Sequence, residues 1–112
     1  MKNIADIRQE YTKSGLRESE LPCDPLSLFS RWLQEAIDAN VEEPTAVIVG
    51  TVSPEGRPST RTVLLKGLHD GKFIFYTNYE SRKGRQLAQN PYISLSFVWH
   101  ELERQVHIEG VA

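Results

Sequence analysis

Cysteine is nearly absent from this chain. Cys23 is the only one in 112 residues, so no intrachain disulfide can form, as fits a reducing cytoplasm. In a polar linker, Cys23 itself reads as an inert small residue. An excess of one charge is also lacking. Thirteen Lys and Arg against fifteen Asp and Glu leave a net charge of −2, so bulk charge makes no case for nucleic acid or an anionic membrane, and any basic site must be local. No apolar run approaches the ~20 residues of a membrane helix. Residues 1–15 carry acids and lack an apolar stretch, so they are not a secretory signal. A soluble, cytoplasmic protein is expected. The sequence contains no CxxC, no HExxH, no GxGxxG and no Ser-His-Asp order, so zinc, hydrolase and Rossmann readings lack support. No metal site is expected.

What is present is an ordinary globular composition, 39% hydrophobic and 25% charged, in a length that suits one domain. Ile4, Ile7 and Tyr11 recur at helical spacing, and Gly15 is a natural stop, so residues 3–14 read as a short helix. A polar linker follows over 16–24. A stronger helix starts at Asp24, a good N-cap, with Pro25 at the first helical position. Leu26, Phe29, Trp32, Leu33, Ala36 and Ile37 give it one apolar stripe, which reads as the face that covers a sheet.

From Thr45 the pattern turns to β. Residues 46–52 form a continuous apolar run, as in a strand buried on both faces. Pro54-Glu55-Gly56 is a turn. Residues 59–66 read as a second strand, 67–71 as a second turn and 72–77 as a third strand. Residues 81–89 have helical character and are broken by Asn90-Pro91. Residues 92–99 alternate: Ile93, Leu95, Phe97 and Trp99 share one face, and Tyr92, Ser94, Ser96 and Val98 the other. Residues 100–103 turn the chain into a fifth strand, 104–111, with Val106 and Ile108 opposite in facing to Gln105, His107 and Glu109. Five strands with hairpin-like links predict an antiparallel sheet curled into a barrel. The sequence stops inside or just after the last strand, which leaves an uncovered edge. A naturally short domain and a partial sequence both account for that.

Two segments carry local positive charge. In Arg61-Thr62-Val63-Leu64-Leu65-Lys66, strand parity sets Arg61, Val63 and Leu65 on one side and Thr62, Leu64 and Lys66 on the other. Arg61 and Lys66 stand ~16 Å apart at strand rise, about the length of an extended nucleotide-like cofactor. They meet one ligand only across a bulge or from the strand end beside Gly67. The competing reading is a strand with solvated ends. The second segment is Tyr76-Thr77-Asn78-Tyr79-Glu80-Ser81-Arg82-Lys83. Ser81 is a candidate N-cap, and Arg82, Lys83 and Arg85 put cations at a helix start, where the dipole opposes them unless an anion is present. A phosphate would supply it; a solvated charged face is the alternative. Gln105 is a candidate donor to a carbonyl-rich ring. His69 and His107 have no acid partner at a useful spacing, and His100 adjoins Glu101 in a turn.

Taken together, Arg8-Gln9-Glu10-Tyr11, Gly15-Leu16-Arg17, Asp24-Pro25-Leu26, Arg61-Thr62-Val63-Leu64-Leu65-Lys66, Phe75-Tyr76-Thr77-Asn78, Ser81-Arg82-Lys83 and Leu102-Glu103-Arg104-Gln105-Val106 occur in the order seen in pyridoxine/pyridoxamine 5'-phosphate oxidases. The sequence resembles that family across essentially its whole length. The resemblance implies a mainly β fold with flanking helices, the FMN-binding split β-barrel, here incomplete at the C-terminus. It implies a homodimer with flavin mononucleotide (FMN) at the interface. The implied reaction oxidises pyridoxine or pyridoxamine 5'-phosphate to pyridoxal 5'-phosphate in vitamin B6 biosynthesis and salvage. Hydride passes from the substrate's C4' to flavin N5, and O2 reoxidises the flavin to give H2O2. By motif, the implied FMN contacts are Arg61, Thr62, Val63, Leu64, Leu65, Lys66, Tyr76, Thr77, Arg82, Lys83 and Gln105. Lys66 also meets the substrate phosphate, and Arg8 and Tyr11 help to close over the substrate. Residues 1–23 are then a helix and linker that form a substrate lid, and 24–112 a partial barrel with its covering helix.

The family's chain continues for roughly as long again. Its second half supplies further phosphate ligands, more flavin contacts and an Arg/His pair near the reacting carbon. None of those motifs is in these 112 residues, so no catalytic residue is expected here and a partial sequence is the favoured reading. A non-catalytic FMN- or pyridoxal-phosphate-binding module and an inactive fragment are the alternatives.

Overall fold

The computed structural model describes residues 3–6, 19, 24–76 and 90–112. Among these, one α-helix, α1 (Pro25–Asp38), precedes six strands: β1 (Ala46–Val52), β2 (Pro58–Leu64), β3 (Gly67–His69), β4 (Lys72–Ile74), β5 (Tyr92–Trp99) and β6 (Arg104–Val111). Near the N-terminus, Ile4–Asp6 is a 3-10 turn. The rest of the helix expected over 3–14, the linker from 16 up to Asp24 apart from residue 19, and the helix expected over 81–89 lie outside the described residues.

Helix α1 starts and stops for reasons visible in its sequence. The Asp24 carboxylate accepts from the Leu26 N–H at 3.0 Å, and Pro25 fills the first turn. At the other end Asn40 adopts φ 56°. Asn40 N–H donates to the Ile37 carbonyl and Val41 N–H to the Ala36 carbonyl, both at 3.1 Å. This is the paired closure of a Schellman motif, with asparagine in the left-handed position. Phe29 and Ala36 are buried, and Trp32 and Leu33 are packed against the core. Ile37 is not part of that stripe: it is 44% exposed. It lies in the last turn, where the helix face is already turning away from the sheet.

The sheets are antiparallel and not closed. One has the order β2-β1-β5-β6, and the other is the β3-β4 hairpin. Val47, Val49, Leu95, Phe97 and Trp99 fill the core side of the larger sheet. Phe29 of α1 reaches into it, with ring centroids 4.9 Å from Phe97 and 5.0 Å from Phe73 of β4. One aromatic cluster therefore joins helix, sheet and hairpin. Buried aromatic pairs of this kind add about 0.5–1.5 kcal/mol beyond their area.

Several expectations need correction. Strand β1 is not buried on both faces: Val47, Val49 and Thr51 are buried but Ile48 is 42% exposed. Hydropathy records that both faces are apolar, and in this chain only one of them meets a core. Strand β2 runs from Pro58 to Leu64 rather than 59 to 66. Leu65 N–H still bonds to the Thr45 carbonyl, but Lys66 N–H bonds to the Ile74 carbonyl at 2.7 Å. The chain thus changes sheets between these two residues. The turn expected over 67–71 is only Asp70-Gly71, with φ 50° and 73°. Both lie in the left-handed region, as a two-residue type I′ hairpin requires. Gly67–His69 is therefore a strand, paired Gly67↔Ile74, Leu68↔Phe73 and His69↔Lys72. It is the sixth strand where five were expected. Strand β4 ends at Ile74, short of the 72–77 expected.

The β5–β6 hairpin follows its expected bounds. Its turn is a 3-10 segment, His100–Leu102, closed by Glu103 at φ 54°. Three contacts pin this turn to α1 and the loop after it. Trp99 Nε1–H donates to the Pro44 carbonyl at 2.9 Å, and Glu42 N–H donates to the Glu101 carboxylate at 3.1 Å. The Arg104 guanidinium donates to the Glu35 carboxylate and stacks over Trp32 at 4.6 Å. Among the described residues no helix is long and apolar enough to cross a membrane.

Candidate functional site

Register turns the strand sequences into a surface. Pairs Leu64↔Ala46, Thr62↔Ile48 and Thr60↔Gly50 link β2 to β1. Ile48↔Ser96 and Gly50↔Ser94 continue into β5, and Val98↔Gln105, Ser96↔His107 and Ser94↔Glu109 into β6. Directly paired residues share a face. The face away from the core therefore carries four rows. They are Leu64/Ala46/Val98/Gln105, Thr62/Ile48/Ser96/His107, Thr60/Gly50/Ser94/Glu109 and Pro58/Val52/Tyr92/Val111. Five large apolar side chains are exposed on it: Ile48, Leu64, Tyr92, Val98 and Val111. Gly50 sits near its middle. A Cβ there would lie 2.5 Å from Ser94 Oγ, so glycine leaves room for the serine hydroxyl.

The six-residue basic run is divided by this geometry. Thr62 and Leu64 lie on the outer face, and Lys66 lies past the end of β2, where the chain has left that sheet. Arg61, opposite Val49, and Val63, opposite Val47, lie on the core side. Leu65 is buried, whereas Arg61 and Lys66 are exposed. Lys66 occupies the corner where the chain passes from the large sheet to the hairpin. Tyr76, 75% exposed, follows two residues after the Ile74 whose carbonyl accepts from Lys66. Lys66 and Tyr76 therefore stand at the same end of the hairpin.

Gln105 shares the outer face with Leu64 and Thr62 but on the opposite edge strand. Three strand spacings, about 14 Å, separate them. Arg8, Tyr11, Thr77, Arg82 and Lys83 lie outside the described residues. Among the described residues no group of three or more His, Cys, Asp and Glu is placed to hold a metal.

The sequence reading set His107 aside for want of an acid partner. Its partner is a hydroxyl: Ser96 Oγ and His107 Nδ1 are 2.9 Å apart. The alternation of both strands, with a turn of known length, carried that pairing in the sequence.

Two clefts flank these features. One, of about 690 Å³, lies between the hairpin and the ends of β5 and β6, and is lined by Leu26, Phe73, Phe75, Ile93 and Ile108 among others. The second, about 550 Å³, lies at the end of the sheet beside Gly50, Thr60, Ser94 and Tyr92. Neither is lined by Lys66, Tyr76 or Gln105.

Comparison with known proteins places this architecture. The chain is 98% identical over all 112 residues to a pyridoxine/pyridoxamine 5'-phosphate oxidase of Bacteroides thetaiotaomicron, of which it covers 53%. It spans about half the length of the curated relatives it matches. Among solved structures, PhzG of Burkholderia lata 383, in complex with tetrahydrophenazine-1-carboxylic acid, superposes with a TM-score of 0.83. That match has 34% identity and covers 89% of this chain and 50% of the other. A pyridoxamine 5'-phosphate oxidase-related, FMN binding protein of Nostoc punctiforme shares the fold, with a TM-score of 0.68 at 22% identity over 79% of this chain and 47% of that one. The family model described as pyridoxamine 5'-phosphate oxidase matches residues 33–112, from Leu33 in α1 through β6. On these grounds the open split barrel described above belongs to the pyridoxamine 5'-phosphate oxidase family.

Proposed function

We propose that this chain is the cofactor-holding part of an FMN-dependent oxidase that makes pyridoxal 5'-phosphate from pyridoxine or pyridoxamine 5'-phosphate. The observation that carries the reading is the 98% identity, over the whole chain, to a relative named for that activity. Pyridoxine 5'-phosphate would give up two hydrogens, and O2 would leave as H2O2. Pyridoxamine 5'-phosphate would in addition take up water and release ammonia. FMN, when bound, supplies the two-electron acceptor that O2 regenerates.

The donor set fits a phosphorylated, carbonyl-bearing cofactor. Lys66 is an exposed cation at a chain corner, beside the exposed phenol of Tyr76. Thr62 offers a hydroxyl on the outer face, and Gln105 an amide on the same face. Lys66 would bind phosphate, and Gln105 would donate to a ring carbonyl. Arg82, Lys83 and Thr77 would complete the phosphate cradle, and Arg8 and Tyr11 the substrate side. Arg61, on the other face of β2, would reach the same ligand only around the strand edge.

A second copy of the chain would cover the outer face. Isolated exposed apolar residues are ordinary, but Ile48, Leu64 and Val98 lie together on one sheet face with only Glu109 charged within its rows. Such a surface suits an isologous pair. It would also bring one copy's Gln105 toward the other's Lys66 corner. Ile48→Lys should convert a dimer to monomer in sedimentation velocity; a variant that sediments as the wild type does would refute the interface.

The direct test of the function is H2O2 formation by the FMN-loaded, full-length protein. Peroxide should appear in step with pyridoxal 5'-phosphate from either substrate. Saturable FMN uptake with no peroxide from either would leave a binding module instead.

A further inference from the structure

On the outer face, His107 is the only imidazole, and it stands one step along β6 from Gln105. The two are separated by two residues of one strand, about 7 Å at strand rise, and share a facing. Its ring is not free to turn, because Ser96 Oγ holds Nδ1 at 2.9 Å. Ser96 is on β5 directly opposite, in the row that also contains Ile48 and Thr62. With Nδ1 engaged, Nε2 is the nitrogen left for another partner. His107 is exposed in the single chain, so that nitrogen faces whatever is held on the face, between it and a second copy.

We propose that His107, oriented by Ser96, is a second ligand-binding residue beside Gln105, and that its Nε2–H donates to an anionic or carbonyl oxygen of the bound flavin nucleotide. This rests on the reading that FMN binds against the outer face. Imidazole changes charge between about pH 5 and 8. In the neutral ring, the serine hydroxyl can donate to Nδ1 or accept from it; in the tautomer that binds as proposed it donates, and Nε2 carries the single hydrogen. In the charged ring both nitrogens donate, the serine oxygen accepts, and the outward bond becomes charge-assisted. The charged form favours an anionic ligand, so the contribution is greatest at low pH and is lost as pH rises.

The neighbours leave the sign of this effect intact. On β6, Glu109 is two residues further on the same face. On β5 the titratable group on this face is Tyr92. The outer-face residues of β1 (Ala46, Ile48, Gly50) and β2 (Thr60, Thr62, Leu64) carry no charge. Lys66 lies beyond the end of β2 on the opposite edge, about 14 Å or more away.

The test is FMN binding by the full-length protein, followed by quenching of flavin fluorescence at pH 6.5 and 8.5. This window lies above the second phosphate pKa of about 6, so the ligand's own charge changes little. The wild-type Kd should rise roughly threefold to fivefold across it, as a charge-assisted bond becomes a neutral one. His107→Gln keeps a neutral donor and should show a flat profile. Ser96→Ala, which frees the ring, should fall between the two. Parallel profiles for wild type and His107→Gln, with FMN still bound, would overturn the role of His107 alone. No FMN uptake by the wild type at either pH would overturn both this role and the flavin site it rests on.

Discussion

Phe97→Ala is expected to lower the stability of the protein by about 3–5 kcal/mol. Phe97 is fully buried. Its ring packs 4.9 Å from Phe29, 5.8 Å from Trp99 and 6.5 Å from Phe73, centroid to centroid. It is therefore the point where α1, β5 and the β3–β4 hairpin meet. Truncation removes the burial of a whole aromatic side chain and leaves a cavity whose walls belong to three elements. Domains of this size have only about 5–15 kcal/mol in total, so the loss should appear as a large drop in the urea midpoint. Tyr92→Ala, on the same strand but 68% exposed on the opposite face, should shift stability by less than about 0.5 kcal/mol. Similar losses for both variants would mean that the assignment of faces on β5 is wrong.

The second large effect concerns the ligand. Replacing Arg82 and Lys83 together by alanine should weaken FMN binding by about 3 kcal/mol, roughly a hundredfold in Kd. Both residues lie outside the described residues, so the argument is chemical. The sequence predicts a helix start there, where adjacent cations oppose the helix dipole unless an anion is present. A bound phosphate resolves that conflict, and removing the cations takes away two charge-assisted contacts at once. Arg57→Ala, in the exposed β1–β2 turn, removes a like charge elsewhere and should leave Kd unchanged. An unaltered Kd in the double variant would contradict the phosphate cradle.

How far the sequence revealed this structure varies by element. Helix α1 was legible at its start, because Asp24 and Pro25 are local signals that tertiary packing did not override; its close at Asn40 was not read. Strands β5 and β6 were legible to the residue, since a one-sided core imposes strict alternation. Strand β1 was misread because its outer residue Ile48 is as apolar as its inner ones, and periodicity cannot say what covers a face. Strand β3 was missed because Gly67, His69, Asp70 and Gly71 look like one loop. Only the left-handed pair at Asp70 and Gly71 is the turn.

The candidate site was legible in composition and only half legible in arrangement. Parity already separated Arg61 from Lys66, and the structure keeps them apart. The distance between Gln105 and the basic run was not readable. It depends on β1 pairing with both β2 and β5, which puts β2 and β6 on opposite edges. The partnership of Ser96 with His107 was not legible as an acid pairing, because its partner is a hydroxyl on the paired strand.

The central claim is that this fold holds a flavin through its phosphate. The most direct test is an equilibrium titration of the full-length wild-type protein with FMN and, in parallel, with riboflavin, which has the same ring and no phosphate. Saturable FMN binding, with riboflavin weaker by a hundredfold or so from the loss of its charge-assisted phosphate contacts, is the predicted result. Equal affinity for the two, or no uptake of FMN, would contradict the account.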